Sequence, residues 1–229
     1  MSLTKLKAID RKTKYKIHGF VRRHEVDCCV TIPIMIEYII MLYYWINEKF
    51  TEHGDGIELD ESSKIIRSKG GVWYNTVCGN NIINADDTSI KSYIWKFRIN
   101  AIGEQITIDF GIDSSNNKWL NGAFSDITLN TNMFYSIGSK GCVCQPRKFV
   151  RALNFNVKEG DHLTLIFCVD HEIKSAKLMC QTQKAGDEVE QEYVAQDGIK
   201  LDLHYNLAVS IPAHNETQVE MIQFEISQK

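Results

Sequence analysis

From about Gly71 to the C-terminus, apolar and polar residues alternate with a period near 2, the pattern of strands that bury one face. In SYIWKFRI, Tyr93, Trp95, Phe97 and Ile99 fall on one face while Lys96 and Arg98 fall on the other. ITIDFGI repeats the pattern, with Ile106, Ile108, Phe110 and Ile112 opposed to Thr107, Asp109 and Gly111, and the intervening NAIGE reads as a hairpin loop. FYSI, GSKG and CVC read as a second hairpin. Leu153, Phe155 and Val157 alternate as far as KEGD, where Gly160 supplies a turn. HLTLIFCV is apolar on both faces, as a central strand covered twice would be, and KLMC pairs back on it through DHEIK. The acidic insert Lys184 to Asp197 has no period and reads as an exposed loop, after which LHYNLAVSI and VEMIQFEI supply two closing strands.

Upstream the period is that of a helix. Ile36, Ile39, Ile40, Tyr43 and Tyr44 form an apolar stripe on a helix predicted from Pro33 to Phe50, with Glu37, Asn47 and Glu48 on its wet side. Thr31 near the N-cap, Pro33 in the first turn and the early Glu37 suit the start of a helix, and HGDG from His53 to Gly56 suits its end. About ten short strands and one N-terminal α-helix predict a mainly β protein, an antiparallel β-sandwich or jelly roll. The organisation is a basic segment over 1–30, a helix within 31–52 packing on the outer face of the body, and a sandwich domain over 57–229. The 17 residues Val30 to Ile46 are short for a membrane span and contain Pro33, Glu37 and three tyrosines, so no span is expected.

Composition changes this picture little. A chain of 229 residues with 44% hydrophobic and 24% charged residues is ordinary for a globular protein. Its net charge of −3 is unevenly spread: residues 1–23 carry eight Lys or Arg against Asp10 alone, a net +7, which leaves −10 on the rest. An acidic body disfavours nucleic acid as a partner. Seven cysteines, including the adjacent Cys28 and Cys29, do not form a disulfide framework, so reduced thiols in a cytoplasmic protein are expected, and the sequon at Asn215 is incidental.

No catalytic group stands out. Cys168 lies near His171 but inside an apolar strand, where a thiol is packing. His24, Cys28, Cys29 and the CVC pair lack the C-x-x-C spacing of a zinc site, so no metal or cofactor is expected. SIGSKG lacks the spacer of a phosphate-binding loop, and the acid pairs Asp86 with Asp87 and Asp109 with Asp113 read as solvated loop ends.

From about Ser92 to Ser210 the succession of strands resembles the SPRY domain, a concanavalin-like β-sandwich. KSYIWKFRI resembles the opening aromatic strand of that family, and ITIDFGID the strand after it. KEGDHLTLIFCVDHEIKSAKLMC resembles its glycine-aspartate turn, long apolar strand, second turn and returning strand, with Gly160, Asp161 and Asp170 at the matching positions. The glycine usual in the second turn is absent from DHEIK, and the aromatic of the returning strand either appears as Met179 or is missing. The resemblance implies a non-catalytic module whose loops at one end recognise a short segment of a partner protein.

Candidate partner-binding residues follow from composition. Trp119, in DSSNNKWLNGAF beside Asn116 and Asn117, follows a run of polar residues and has no alternating strand to bury it; it either anchors a partner or tucks into the core. Trp73 and Tyr74 either start a strand or line the same rim; Tyr135 and Arg147 fall near the second hairpin, where Arg147 beside aromatics either grips a carboxylate or is a solvated charge. A lectin is the alternative, because Asp113, Asn116, Asn117 and Trp119 are residue types that ligate calcium or stack on sugar rings. The chain is expected to be a monomer that binds an unknown protein or peptide. Trp119→Ala is predicted to weaken partner binding by about 2 kcal/mol with an unchanged melting temperature; a sharp fall in melting would make Trp119 a core residue instead.

Overall fold

The computed structural model of the chain describes residues 48–70, 74–83, 88–103, 107–114, 134–145, 148–187, 190–201, 203–212 and 216–228, with backbone alone at 74, 134 and 148. The chain divides into two units, 1–44 and 45–229, and every described residue belongs to the second.

The described strands are β1 (Phe50–His53), β2 (Ile57–Leu59), β3 (Ile65–Ser68), β4 (Tyr74–Ile83), β5 (Ile90–Ala101), β6 (Asp109–Ser114) and β7 (Phe134–Gly138). They continue as β8 (Cys142–Gln145), β9 (Lys148–Ala152), β10 (His162–Asp170), β11 (Ser175–Gln183), β12 (Glu190–Lys200), β13 (Tyr205–Pro212) and β14 (Gln218–Gln228). They pair into two seven-stranded sheets, A in the order β1-β4-β13-β6-β7-β8-β9 and B in the order β12-β11-β10-β5-β14-β3-β2. Every pairing is antiparallel.

Period 2 was a reliable guide to which side chains face inward. Tyr93, Trp95, Phe97 and Ile99 of β5 and Leu163, Leu165 and Phe167 of β10 are at most 2% exposed. Burying one such side chain stabilises a fold by roughly 1.5–3 kcal/mol. Phe97 meets Phe110 of the other sheet with ring centroids 5.0 Å apart, and Phe167 meets Tyr205 at 6.2 Å. Within sheet B, Trp95 stacks on Tyr93 at 6.0 Å and on Phe224 at 5.7 Å. The hairpins expected at GSKG and DHEIK are present as β7–β8 and β10–β11.

Connectivity departs from the sequence reading in several places. NAIGE is not a hairpin: β5 pairs with β10 and β14, whereas β6 pairs with β13 and β7, so the chain crosses from sheet B to sheet A there. Alternation reports a buried face without naming the sheet that buries it. The segment Leu153 to Val157 lies on the core but outside any ladder. The insert Lys184 to Asp197 is not all loop, because it contains most of β12, an edge strand with only Ala195 and Ile199 buried and therefore little apolar periodicity to read. On β10 the second face is only half covered, with Ile166 and Cys168 partly exposed.

The helix expected over Pro33–Phe50 lies outside the described residues as far as 47; from Phe50 the chain is strand β1. The Val30 to Ile46 stretch also lies outside them, and among the described residues no helix is long and apolar enough to cross a membrane. Glu48, assigned to a wet face, is instead 1% exposed. Its carboxylate accepts hydrogen bonds from the Asn81 amide of β4 at 3.2 Å and the Trp95 indole of β5 at 3.3 Å, which ties sheet A to sheet B. Burial pushes its pKa up against the lowering effect of those donors. Gly79 has no room for a side chain, since a Cβ there would overlap that carboxylate.

Strand β6 is buried on both faces, including Asp109 and Asp113 at 2% exposure each, so these acids are not solvated loop ends. Desolvation raises the Asp109 carboxyl from its ordinary 3.8 to about 7. Because the folded value is the higher one, the native state holds a proton that the unfolded chain has lost. Stability attributable to this group is present below about pH 4 and is lost as pH rises to about 7. Asp109→Asn is predicted to raise the melting temperature at pH 8 and to leave it nearly unchanged at pH 4, the full difference being on the order of 4 kcal/mol. Urea titrations at the two pH values check this, and an equal effect at both would contradict it.

Candidate functional site

Register sorts the loops into two ends. In sheet A, Tyr205 pairs with Ile83 and Ser114, Asp113 with Phe134, and Gln145 with Lys148. In sheet B, Ser92 pairs with Cys168, and Ser175 pairs with Asp170 and Lys200. Short connections run from β4 into β5 and from β12 into β13, so these residues mark one shared end of the sandwich.

Asn116, Asn117 and Trp119, between β6 and β7 in sequence, and Arg147, between β8 and β9, lie outside the described residues. Tyr135 is at the same end, half-buried, its ring edge-on to Tyr205 at 6.3 Å and packed against the core. Tyr74 is separated from the others. It opens β4 opposite Pro212, at the far end of the sandwich.

What the described residues do build at the shared end is a groove beside the β10–β11 turn. Asp170 shapes that turn, its Oδ1 accepting from the amides of Glu172 at 3.0 Å and Ile173 at 3.4 Å. Lys174, with φ of 51°, occupies the left-handed position that a glycine would fill at no cost. His171 ties the turn to β5: its Nε2 lies 2.8 Å from the Ile90 carbonyl, which only accepts, so that nitrogen carries the proton.

The groove, of about 800 Å³, opens on the outer side of sheet B. Its floor includes Cys168 and Met179, whose sulfurs are 3.9 Å apart. Lys91, Lys177 and Asp197 line it, and Ile173, 72% exposed, stands at its rim. Lys177 and Asp197 pair at 3.5 Å in solvent, a contact worth about 0–1 kcal/mol. Lys91 has no ion-pair partner among the described residues.

Burial disfavours the thiolate form at three cysteines. Burial raises the Cys168 pKa, with Lys177 and Lys91 pulling it down and Glu192 pushing it up. Burial likewise pushes Cys144 up to about 11 and Cys180 up to about 12. Cys78, Cys142, Cys144, Cys168 and Cys180 form no disulfide, and no group of three metal-ligating side chains occurs among the described residues. His24, Cys28 and Cys29 lie outside them.

No protein-family model matches the sequence, and no curated protein matches it either. Solved structures do match in shape. The SPRY domain of human HERC1 covers 76% of this chain and 97% of its own, with a TM-score of 0.52 at 15% identity. Peanut lectin, solved with the 9-residue peptide PVIWSSATG, covers 80% and 91%, with a TM-score of 0.55 at 11% identity. Lectin UEA-II complexed with galactose covers 80% and 93%, with a TM-score of 0.54 at 12% identity. The fold is SPRY-like, of the concanavalin type.

This SPRY-like sandwich extends beyond Ser92–Ser210, since β1 to β4 and β14 are strands of its two sheets. Two of its motif residues are scaffold at the end opposite the groove. Gly160, with φ of 84°, donates its amide to Ile99 at 2.8 Å. Asp161, 6% exposed, accepts from the amides of Lys158 at 2.9 Å and Ala185 at 2.8 Å, and so clamps two turns together. Lys91 and Ile173 carry no sequence expectation, and Met179 is expected only at the aromatic position of the returning strand, not as a binding residue. The available signals were an isoleucine inside the polar turn DHEIK and a strand, LIFCV, apolar on the face that sheet B turns outward.

Proposed function

We propose that this chain is a non-catalytic protein-interaction module that binds a short peptide segment of a partner at the end of the sandwich where β10 turns into β11. The observation that carries this reading is the groove: a sulfur-lined apolar floor, an exposed isoleucine at the rim and a lysine without a partner among the described residues. An apolar peptide side chain is to seat on Cys168 and Met179, with an acidic neighbour beside Lys91. The fold supports a binding role, being shared with a SPRY domain and with lectins, one of them solved with a peptide. Five cysteines outside any disulfide support a reducing compartment, and the cytoplasm is the compartment assigned to the module in this reading.

A random peptide library selected on the intact chain tests this directly. Selected sequences are predicted to combine an apolar residue with an adjacent acid, and Ile173→Asp or Lys91→Glu to weaken them about tenfold, or roughly 1.4 kcal/mol, with melting unchanged because both side chains are exposed. Peptides that bind the variants as well as the parent would contradict the site. Calcium-dependent signal on a glycan array in place of peptide capture would favour a lectin.

A further inference from the structure

The groove floor carries chemistry that peptide binding does not use. Among the described residues there are two methionines, Met179 and Met221, and the fold treats them oppositely. Met221 of β14 is 1% exposed in the core, whereas Met179 of β11 is half-buried and lines the open groove. Alternation along β11 is the cause: Ala176, Leu178 and Cys180 are buried on the core side, which turns Lys177, Met179 and Gln181 outward. Register sets Met179 opposite Ile166 and Cys168 opposite Lys177, so the two sulfurs meet on the diagonal, 3.9 Å apart.

We propose that Met179 is an oxidation site for hydrogen peroxide, and that its conversion to the sulfoxide releases a peptide held in the groove. The inference rests on the groove reading above and adds the regulation of that site. The Met179 Sδ lone pair attacks one oxygen of peroxide, and the O–O bond breaks as the S–O bond forms. The transferred oxygen gives up its proton, the departing hydroxide takes one up as water, and the sulfur loses an electron pair to the peroxide. A thioether becomes a polar sulfoxide.

Two properties of the site direct the oxidant to the thioether and not to the thiol beside it. A thiol reacts as its thiolate, and burial raises the Cys168 pKa, with Lys177 and Lys91 opposing that rise. A thioether has no proton to lose, so burial affects it only through access, and the groove supplies access. Cys168 also favours the product: it donates toward Met179 Sδ, and a sulfoxide oxygen accepts more strongly than a thioether sulfur, which is a weak acceptor. The same pair of sulfurs forms the seat for an apolar peptide side chain. Seating that side chain on the sulfoxide would strip its oxygen of water with only a weak thiol donor in exchange, which disfavours the complex.

The test uses the full chain, peptides selected on it before treatment, and brief exposure to dilute hydrogen peroxide. Peptide mapping by mass spectrometry is expected to find an added oxygen on Met179 while Met221 remains unmodified. Binding of the selected peptides is expected to fall about tenfold and to recover after treatment with methionine sulfoxide reductases. Met179→Gln is expected to reproduce the loss without oxidant, at an unchanged melting temperature. Met179→Leu, a swap of similar volume, is expected to bind the peptides and to ignore peroxide, whereas Cys168→Ser is expected to remain sensitive. Met221 oxidised ahead of Met179, an unchanged affinity once Met179 is oxidised, or a loss that persists in Met179→Leu would overturn the proposal and leave the groove intact. Protection by Cys168→Ser would overturn it too, by making the thiol the target. Failure of the untreated chain to capture any peptide would contradict the groove reading itself, and the proposed release with it.

Discussion

Two aromatic contacts between the sheets set everything else in place. Phe97 on Phe110 and Phe167 on Tyr205 join β5 to β6 and β10 to β13, which are interior strands of the two layers. Because side chains alternate along a strand, committing these rings to the core fixes which residues of β5 and β10 face out. Cys168, Ile166 and Ile94 are on the outside because Phe167, Leu165 and Trp95 are inside. Glu48 adds a polar tie between the same layers, at the cost of a desolvated carboxylate.

The inward faces were legible in sequence because burial imposes a period of 2 on any strand that has one wet side. Tyr93 to Ile99 and Leu163 to Phe167 obeyed that rule. Features that depend on partners distant in sequence were not legible. The crossing after β5 looks like a hairpin locally, and only the pairing of β5 with β14 and of β6 with β13 shows otherwise. β12 escaped notice because an edge strand with two buried residues leaves almost no period. Asp109 and Asp113 looked solvated because charge is a good guide to exposure only where the covering layer is known.

The site was legible to a lesser degree. Asp170, expected only as a position of the family pattern, falls in the turn beside the groove, and its carboxylate organises that turn. Aromatic composition pointed to Tyr135, which packs toward the core, and to Tyr74, which register puts at the other end. The groove is assembled from single residues on separate strands, so no window of sequence displays it. Met179 illustrates this: it falls at a gap in an aromatic pattern, yet it lies in the groove floor, opposite Ile166 of β10.

In this arrangement burial shifts the Cys168 and Cys180 thiols away from the thiolate form. What it offers is a rigid layer with one recessed apolar floor. Backbone amide chemical shifts of the labelled chain, recorded while a library-selected peptide is titrated in, test that account most directly. The account predicts perturbations confined to Lys91, Cys168 to Lys177 and their strand neighbours, with Gly160 and Asp161 at the far end silent. Perturbations centred on the far end, with the β10–β11 turn unmoved, would contradict it.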